Sequence, residues 1–485
     1  MATRAAAAAA TAAPAAPAHP AATEEDAPRP AVVDPRTRAM LEGPILATLL
    51  RLAAPGVTVM LLQAGVGTMD AVFVGWLGAE ALAGVSLVYP LLMLMQTMSA
   101  GGMGGGIASA VARALGAGRR RDADRLAAHG LLIALAMAAL FTVVLLAGGP
   151  TVYRALGGHG ATLDAALAYS HVIFGGAVVF WSFNSLASVI RGTGRMVLPA
   201  GVMAGASAAY LLLAPALILG WGPLPRLGVA GTAVASVTAF SGGMLVLAAV
   251  LFSGRSTVRP RLADFRPRAA LLQEILRVGA PGSLNTVFTN LTVVLLTALV
   301  GPFGIHALAG YGMGARLEYI QIPLVFGVGS ALVAMVGTNV GAGRLARAER
   351  VAWVGAGLAG GVTGAIGLTF ALFPRAWMGL FTTEPAILAV GSAYLRIVGP
   401  AYGFFGVGLA LYFASQGAGR LAWPLLAGFA RLCIAAAGGW LATRWLGGGP
   451  QALFVAIAAA LVAMGVMVAL PIKAGAWRRG RGGAS

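Results

Sequence analysis

The sequence predicts an all-α membrane protein of twelve transmembrane helices, arranged as two six-helix lobes, and three observations lead to that class. Of the 485 residues, 59% are hydrophobic and only 10% charged, with a mean hydropathy of +0.86, so the chain lacks the polar surface that a soluble fold of this length must present. Its apolar stretches run on for about 18 to 30 residues without alternating every second position, which is the pattern of spanning helices and not of barrel strands. The chain also repeats itself at an offset of about 225 residues. Residues 75–84 (Gly-Trp-Leu-Gly-Ala-Glu-Ala-Leu-Ala-Gly) align with residues 301–310 (Gly-Pro-Phe-Gly-Ile-His-Ala-Leu-Ala-Gly). The register holds from Arg51, Pro55 and Gly56 against Arg277, Pro281 and Gly282, through Gly116 and Arg119 against Gly341 and Arg344, to Gly192 and Arg195 against Gly417 and Arg420. A repeat of this kind in so apolar a chain predicts two related bundles whose shared interface can hold a site.

The spans are expected at about 45–72, 82–106, 123–147, 163–190, 196–220 and 228–252, then 271–300, 306–338, 349–373, 386–415, 421–446 and 451–472. With an even number in each half, both halves enter the membrane in the same sense, related by an axis along its normal, and both termini share one side. Residues 1–42, rich in Ala and Pro and without an uninterrupted apolar core, read as a disordered tail and not as a signal peptide. The first lobe then covers 43–253 and the second 271–474. Between them lies the basic linker 254–270, with Pro260, Pro267 and five arginines, and a basic tail follows at 475–485.

The formal net charge of +18 is explained by topology. Basic residues crowd alternate loops: Arg113, Arg119, Arg120, Arg121 and Arg125; Arg191 and Arg195; Arg255, Arg259, Arg261, Arg266 and Arg268; Arg344, Arg347 and Arg350; and Arg420. The opposite loops carry only Arg154, Arg226, Arg375 and Arg444. The positive-inside rule places the first set, and both termini, in the cytoplasm, and no nucleic-acid partner is needed to account for the charge. The single cysteine, Cys433, excludes an intrachain disulfide framework.

Two acids fall inside spans, where a charge is expensive: Asp70 in the first and Glu318 in the eighth. Glu318 shares its half with the intramembrane arginines Arg316, Arg396 and Arg431, so it is expected to pair with an arginine from a neighbouring helix. Arg316 itself, two residues away, points to another face. Asp70 has no basic partner within the spans of its own half. Out of water its charged form is disfavoured, so it is a candidate to bind either a proton or a cation. A rise of about 1.5 Å per residue puts it about 8 Å below the boundary marked by Gly75. Gln63, seven residues earlier, lies on the same helix face. In the seventh span Asn285, Thr289 and Thr292 form a polar stripe, which either lines a cavity or bonds to neighbouring helices. Residues 101–106 (Gly-Gly-Met-Gly-Gly-Gly) are placed at the end of the second span, where small side chains permit close approach.

Taken together, these residues resemble the multidrug and toxic compound extrusion (MATE) transporters over about residues 44 to 474. The resemblance rests on Leu62-Gln63 and Met69-Asp70-Ala71-Val72-Phe73-Val74-Gly75 leading into Leu77-Gly78-Ala79-Glu80, and on Ala114-Leu115-Gly116-Ala117-Gly118. Further parts are Asn184, Arg191-Gly192-Thr193-Gly194, Gly228-Val229-Ala230-Gly231 and Tyr311-Gly312-Met313-Gly314-Ala315-Arg316-Leu317-Glu318. The resemblance implies a V-shaped pair of lobes around a central cavity and a secondary active antiporter that exports drug-like, cationic or amphipathic compounds across the inner (plasma) membrane. It implies that Asp70, with Asn184 and Ser236, forms the proton or cation site and that Gln63 faces the cavity; Asn285, Thr289, Thr292 and Glu318, read from their own positions, are the further candidates for its lining. The chain departs from the family in reading Tyr210-Leu211-Leu212-Leu213-Ala214-Pro215 where many members carry an Asn and an Asp, and Asn285 where some carry a glutamate. What remains serves a sodium ion poorly, which favours protons as the coupling ion.

The expected partners are a small-molecule substrate and membrane lipid, with no enzymatic cofactor, no resident metal and a monomeric state. A flippase for a lipid-linked saccharide or other amphipathic precursor is the alternative, kept open by the three intramembrane arginines. Scattered histidines, with no HExxH and no GxSxG, speak against an enzyme.

Overall fold

A computed structural model describes residues 34–254, 256–260, 265–445 and 447–478. Residues 1–33, Arg255, Arg261 and residues 479–485, on which parts of the tail, linker and charge expectations fall, lie outside the described residues.

Eleven of the described helices are individually long and apolar enough to cross a membrane. A twelfth crossing is made by Gly160–Gly175 and Ala177–Gly192, which meet at a 45° bend. In chain order span 1 is Ile45–Gly75, span 2 Ala79–Gly116, span 3 Arg120–Ala155, span 4 the bent pair, span 5 Val197–Leu219 and span 6 Val229–Phe252. Span 7 is Ala269–Phe303, span 8 Ile305–Gly341, span 9 Leu345–Leu372, span 10 Pro385–Ala418, span 11 Ala422–Arg444 and span 12 Pro450–Lys473. Span 2 runs further than the sequence suggests. The glycine run does not end it but forms a π-helical turn, Met98–Met103, after which the helix continues as Gly104–Gly116. A glycine run ends a helix in water because it exposes backbone, whereas in hydrocarbon an unpaired backbone costs more than the glycine's entropy, so the helix persists.

The repeat is visible as geometry. The turns joining spans 1 and 2 and spans 7 and 8 hinge on Gly78 and Gly304, one repeat apart, with φ of +101° and +95° that a side chain would strain. Each lobe has its own apolar core. One joins Val74, Ile107, Leu126, Phe174, Phe180 and Trp181, and the other Leu332, Tyr394, Tyr402, Phe405, Leu411 and Phe454.

The lobes meet along a glycine seam that obeys the same twofold relation. A Cβ at Gly56 of span 1 would lie 3.3 Å from Cα of Gly327 in span 8, and one at its counterpart Gly282 of span 7 would lie 3.1 Å from Cα of Gly102 in span 2. Further along, a Cβ on Gly116 would strike the carbonyl oxygen of Thr338, and a Cβ on Gly341 the carbonyl oxygen of Arg113. Hydrogen bonds stitch this end shut. Ser109 Oγ donates to the Gln416 carbonyl at 2.5 Å, and Gln416 Nε2 donates back to the Gly101 carbonyl at 2.9 Å.

The arginine-rich segments gather at this closed end. Arg120 Nε donates to the Thr257 carbonyl at 2.9 Å, Arg344 Nη1 to the Leu41 carbonyl at 2.9 Å and Arg420 Nη1 to the Ala476 carbonyl at 2.6 Å. The expectation of disorder up to residue 42 is corrected here, because Pro35–Glu42 is helical. Asp34 caps it by accepting from the Arg36 N–H at 2.9 Å, Pro35 opens the first turn, and Met40, 2% exposed, plugs into the seam beneath Asn339, whose Nδ2 donates to the Met40 carbonyl at 3.1 Å. Partial burial pushes the Asp34 carboxyl up, but the Arg36 N–H, the Thr257 hydroxyl at 2.7 Å and the charges of Arg36 and Arg195 outweigh it and hold the group below its ordinary value. This contribution to stability is therefore present above the usual carboxylate range and is lost as pH falls through the lowered value.

The seam makes a testable distinction between glycines. Gly116→Val and Gly341→Val should each lower the midpoint of thermal unfolding of the purified protein, by the equivalent of about 1–3 kcal/mol of overpacking. Gly65→Val should leave that midpoint where it is, since no atom lies within 4 Å of where its Cβ would sit.

Candidate functional site

Away from the seam, span 1 touches only its own lobe. From residue 61 to 72 it is exposed on every face except the one that carries Gln63, Val66 and Asp70, and that stripe continues into buried Phe73. The stripe packs on span 5. Gln63 Oε1 accepts from Ser207 Oγ at 2.8 Å, and Asp70 Oδ1 accepts from the phenol of Tyr210 three residues further along the same helix. Phe73, Tyr210, Ala214, Leu217, Ala235 and Ala239 form a small apolar cluster from spans 1, 5 and 6 around this contact. Tyr89 of span 2 and Tyr169 of span 4 stand close enough to feel the charge of Asp70.

Asp70 is thus half-buried, faces a neutral donor, and touches no guanidinium among the described residues. A phenol can neutralise none of the carboxylate's charge. It stabilises the anion through one charge-assisted hydrogen bond and leaves the second oxygen for another partner.

The structure does not bring the other expected helpers onto this carboxylate. Asn184 is buried in the core of the first lobe, where its Nδ2 donates to Ser99 Oγ at 2.8 Å, at the π turn of span 2. Ser236 is half-buried on span 6, next to Ala235 of the cluster, and makes no hydrogen bond to Asp70 among the described residues. The residue that does answer Asp70 is Tyr210, the position where the sequence reads as lacking the family's polar pair. A signal existed: a tyrosine five residues before Pro215 is the one polar side chain in the run Tyr210-Leu211-Leu212-Leu213-Ala214-Pro215.

The second lobe arranges its acid differently. Glu318 Oε1 accepts from Arg431 Nη2 at 2.9 Å, with the two side chains 16% and 10% exposed, and the Arg431 guanidinium lies over the Phe405 ring at 5.4 Å. Arg316 points away, over Phe381 at 5.5 Å. Asn285, Thr289 and Thr292 line one side of a cavity of about 80 Å³ beside Arg431, Phe405 and Met464. Both threonine hydroxyls donate to carbonyls of their own helix, Thr289 to Asn285 at 3.0 Å and Thr292 to Phe288 at 2.7 Å. The stripe therefore borders this cavity, and among the described residues the two threonine hydroxyls bond only within their own helix.

Twelve spans in two pseudo-symmetric lobes joined along a glycine seam, with a lone carboxylate in one of them, are the architecture of a membrane transporter and not of an enzyme. The chain belongs to the MatE family, whose model matches residues 55–216 and again 281–441, the two halves of the repeat. It is 33% identical to the probable multidrug resistance protein NorM of Deinococcus radiodurans over 73% of this chain and 78% of that one. It is 24% identical to a protein named FAD transporter from Shewanella oneidensis, over 76% and 81%. Among solved structures it resembles a multidrug resistance MATE transporter in an outward-facing conformation, with a TM-score of 0.82 and 25% identity over 90% of this chain and 98% of that one.

The contrast between the two acids is testable by stability. Arg431→Met alone strands Glu318 and should cost about 3–5 kcal/mol, seen as a lower thermal midpoint, whereas Glu318→Gln with Arg431→Met should recover most of the loss.

Proposed function

We propose that this chain is a secondary active exporter that exchanges drug-like, cationic or amphipathic compounds for protons, with Asp70 as the group for which proton and cargo compete. The observation that carries this reading is the partner of Asp70. A carboxylate held by a guanidinium stays charged through a transport cycle, while one held by a phenol can be neutralised by a proton without leaving a bare cation behind. Gln63 extends the same face towards the seam, so a substrate lying along span 1 meets a carboxylate at one end and an amide at the other. Asn184 and Ser236, assigned to the site by resemblance, support Asp70 indirectly, through the packing of spans 2 and 6. Asn285, Thr289, Thr292 and Glu318 form a polar wall in the second lobe.

With the arginine-rich end in the cytoplasm, the closed seam supports reading this as an outward-facing state, ready to release cargo and take up a proton. Opening inward then requires the glycine seam to separate and the far ends of spans 1 and 7 to approach. Swapping one proton for one monovalent cation moves no net charge. The membrane potential, worth about 2.3 kcal/mol per charge at 100 mV, then drops out, and the pH difference drives export at about 1.4 kcal/mol per unit. Protons are favoured over sodium by the donor set, because a phenol whose hydrogen points at the carboxylate offers a metal ion no lone pair along that line. The flippase reading keeps less support, since Arg431 is neutralised by Glu318 and Arg316 lies over Phe381, while Arg396 is exposed.

Liposomes holding the wild-type chain should expel a fluorescent organic cation when the pH gradient is imposed. Asp70→Asn should abolish uphill movement, and Tyr210→Phe should slow it about tenfold, the worth of one charge-assisted hydrogen bond. Equal uphill transport by wild type and Asp70→Asn sinks the assignment. Acceleration by a sodium gradient alone overturns the choice of ion, and uphill transport of a flavin nucleotide in place of the cation overturns the choice of substrate.

A further inference from the structure

At the closed end a second cavity, of about 510 Å³, lies between the lobes. Arg113 of span 2 reaches it from the first lobe, while Glu274 and Arg277 of span 7, Arg420 after span 10 and Trp477 behind span 12 line it from the second. Among the described residues of the lining, three guanidinium groups face one carboxylate, that of Glu274. Glu274 pairs with Arg113 at 3.6 Å from Nη2, a long contact for an ion pair. Arg113 and Arg277 are close enough to repel each other, and Arg277 is exposed with no hydrogen bond or ion pair among the described residues. Arg420 is held in place by the Ala476 carbonyl, and Trp477, 2% exposed, fixes the rear wall. Arg113 and Arg420 are therefore set in position before any ligand arrives, Arg277 completes the set from the exposed side, and the volume suits a small polyoxyanion with its water.

We propose that this vestibule is an anion site for a phosphate group, bridging Arg113 of one lobe to Arg277 and Arg420 of the other. Phosphate offers several acceptor oxygens to planar donors drawn from both lobes, and it adds negative charge to that of Glu274. Because Arg113 also donates to Ser109 and, at 3.4 Å, to the Gly417 carbonyl across the seam, an occupant here holds the lobes together at this end. The site stands whether or not protons drive transport. Its position at the ends of the spans allows two sources, the headgroup of an anionic phospholipid or phosphate from solution.

The full-length protein in phosphatidylcholine nanodiscs is titrated with radiolabelled inorganic phosphate, and the titration is repeated with phosphatidylglycerol replacing part of the lipid. Wild type should bind saturably. Arg277→Gln should weaken binding about tenfold, the loss of one charge-assisted contact. Glu274→Gln should tighten it several-fold by removing the competing carboxylate, while Glu384→Gln, which makes the same change in net charge on the opposite side of the chain, should leave it unchanged. Displacement of phosphate by phosphatidylglycerol assigns the occupant to a lipid headgroup, and binding that persists in its presence assigns it to solution phosphate. Equal binding by wild type, Arg277→Gln and Glu274→Gln overturns the site, as does weakening by both variants, which marks damage to packing and not a change in charge. Absence of saturable phosphate binding by wild type, with no difference between the two lipid compositions, overturns it too.

Discussion

In hydrocarbon no water is available to answer a carboxylate, so each acid carried into a span must find its donor in the protein, and the nature of that donor decides what the acid can do. This constraint organises both lobes. Glu318 is answered by the guanidinium of Arg431, itself laid on an aromatic ring, and the pair is fixed because separating it would leave two uncompensated charges. Asp70 is answered by the phenol of Tyr210, which stabilises the anion without cancelling it. The proposed exchange of proton and cargo is a consequence of that difference in partner and needs no other specialised chemistry.

The difference is written onto a symmetric frame. In the repeat register Asp70 corresponds to Leu296 and Glu318 to Leu92, so neither acid has a twin, whereas Tyr169 corresponds to Tyr394 and each stands within electrostatic reach of the acid of its own lobe. The frame itself is kept by backbone contacts. Gly116 against Thr338 and Gly341 against Arg113 are the same contact made twice, since Arg113 and Thr338 are themselves one repeat apart. A seam of small residues has little side-chain interlocking to undo, so two bundles held by it can part without repacking their cores, as alternating access requires.

The arginines belong to the same economy of charge. Their concentration at one end needs no polyanion to explain it, and the segments that carry them are tied to one another: the N-terminal helix to the loop after span 8, the linker to span 3, and the C-terminal tail to spans 9 and 10. The acids at this end answer only part of that charge: Asp122 pairs with Arg119, Glu42 with Arg344 and Glu349 with Arg478. Charges that topology places there without matching carboxylates create the basic vestibule between the lobes.

Much of this was legible in the residues. Hydropathy, repeat and loop charge are local or additive properties, so the spans, the two halves and the gathering of arginines followed from them, and the price of a charge in hydrocarbon singled out Asp70 and Glu318. Partner choice is neither local nor additive. The near neighbour Arg316 turned away and Glu318 found Arg431, 113 residues distant, because two residues along a helix is a different face while a neighbouring helix presents its side chain directly. Likewise Tyr210, 140 residues from Asp70, is an ordinary residue in an apolar helix, and only the packing of span 5 against span 1 made it a donor. Asn184 went to Ser99 for the same reason, since the π turn set the hydroxyl in front of it. Sequence by itself determined which groups must be compensated, because that cost belongs to each residue alone. Tertiary structure decided what compensates them, because that depends on which helix faces lie together.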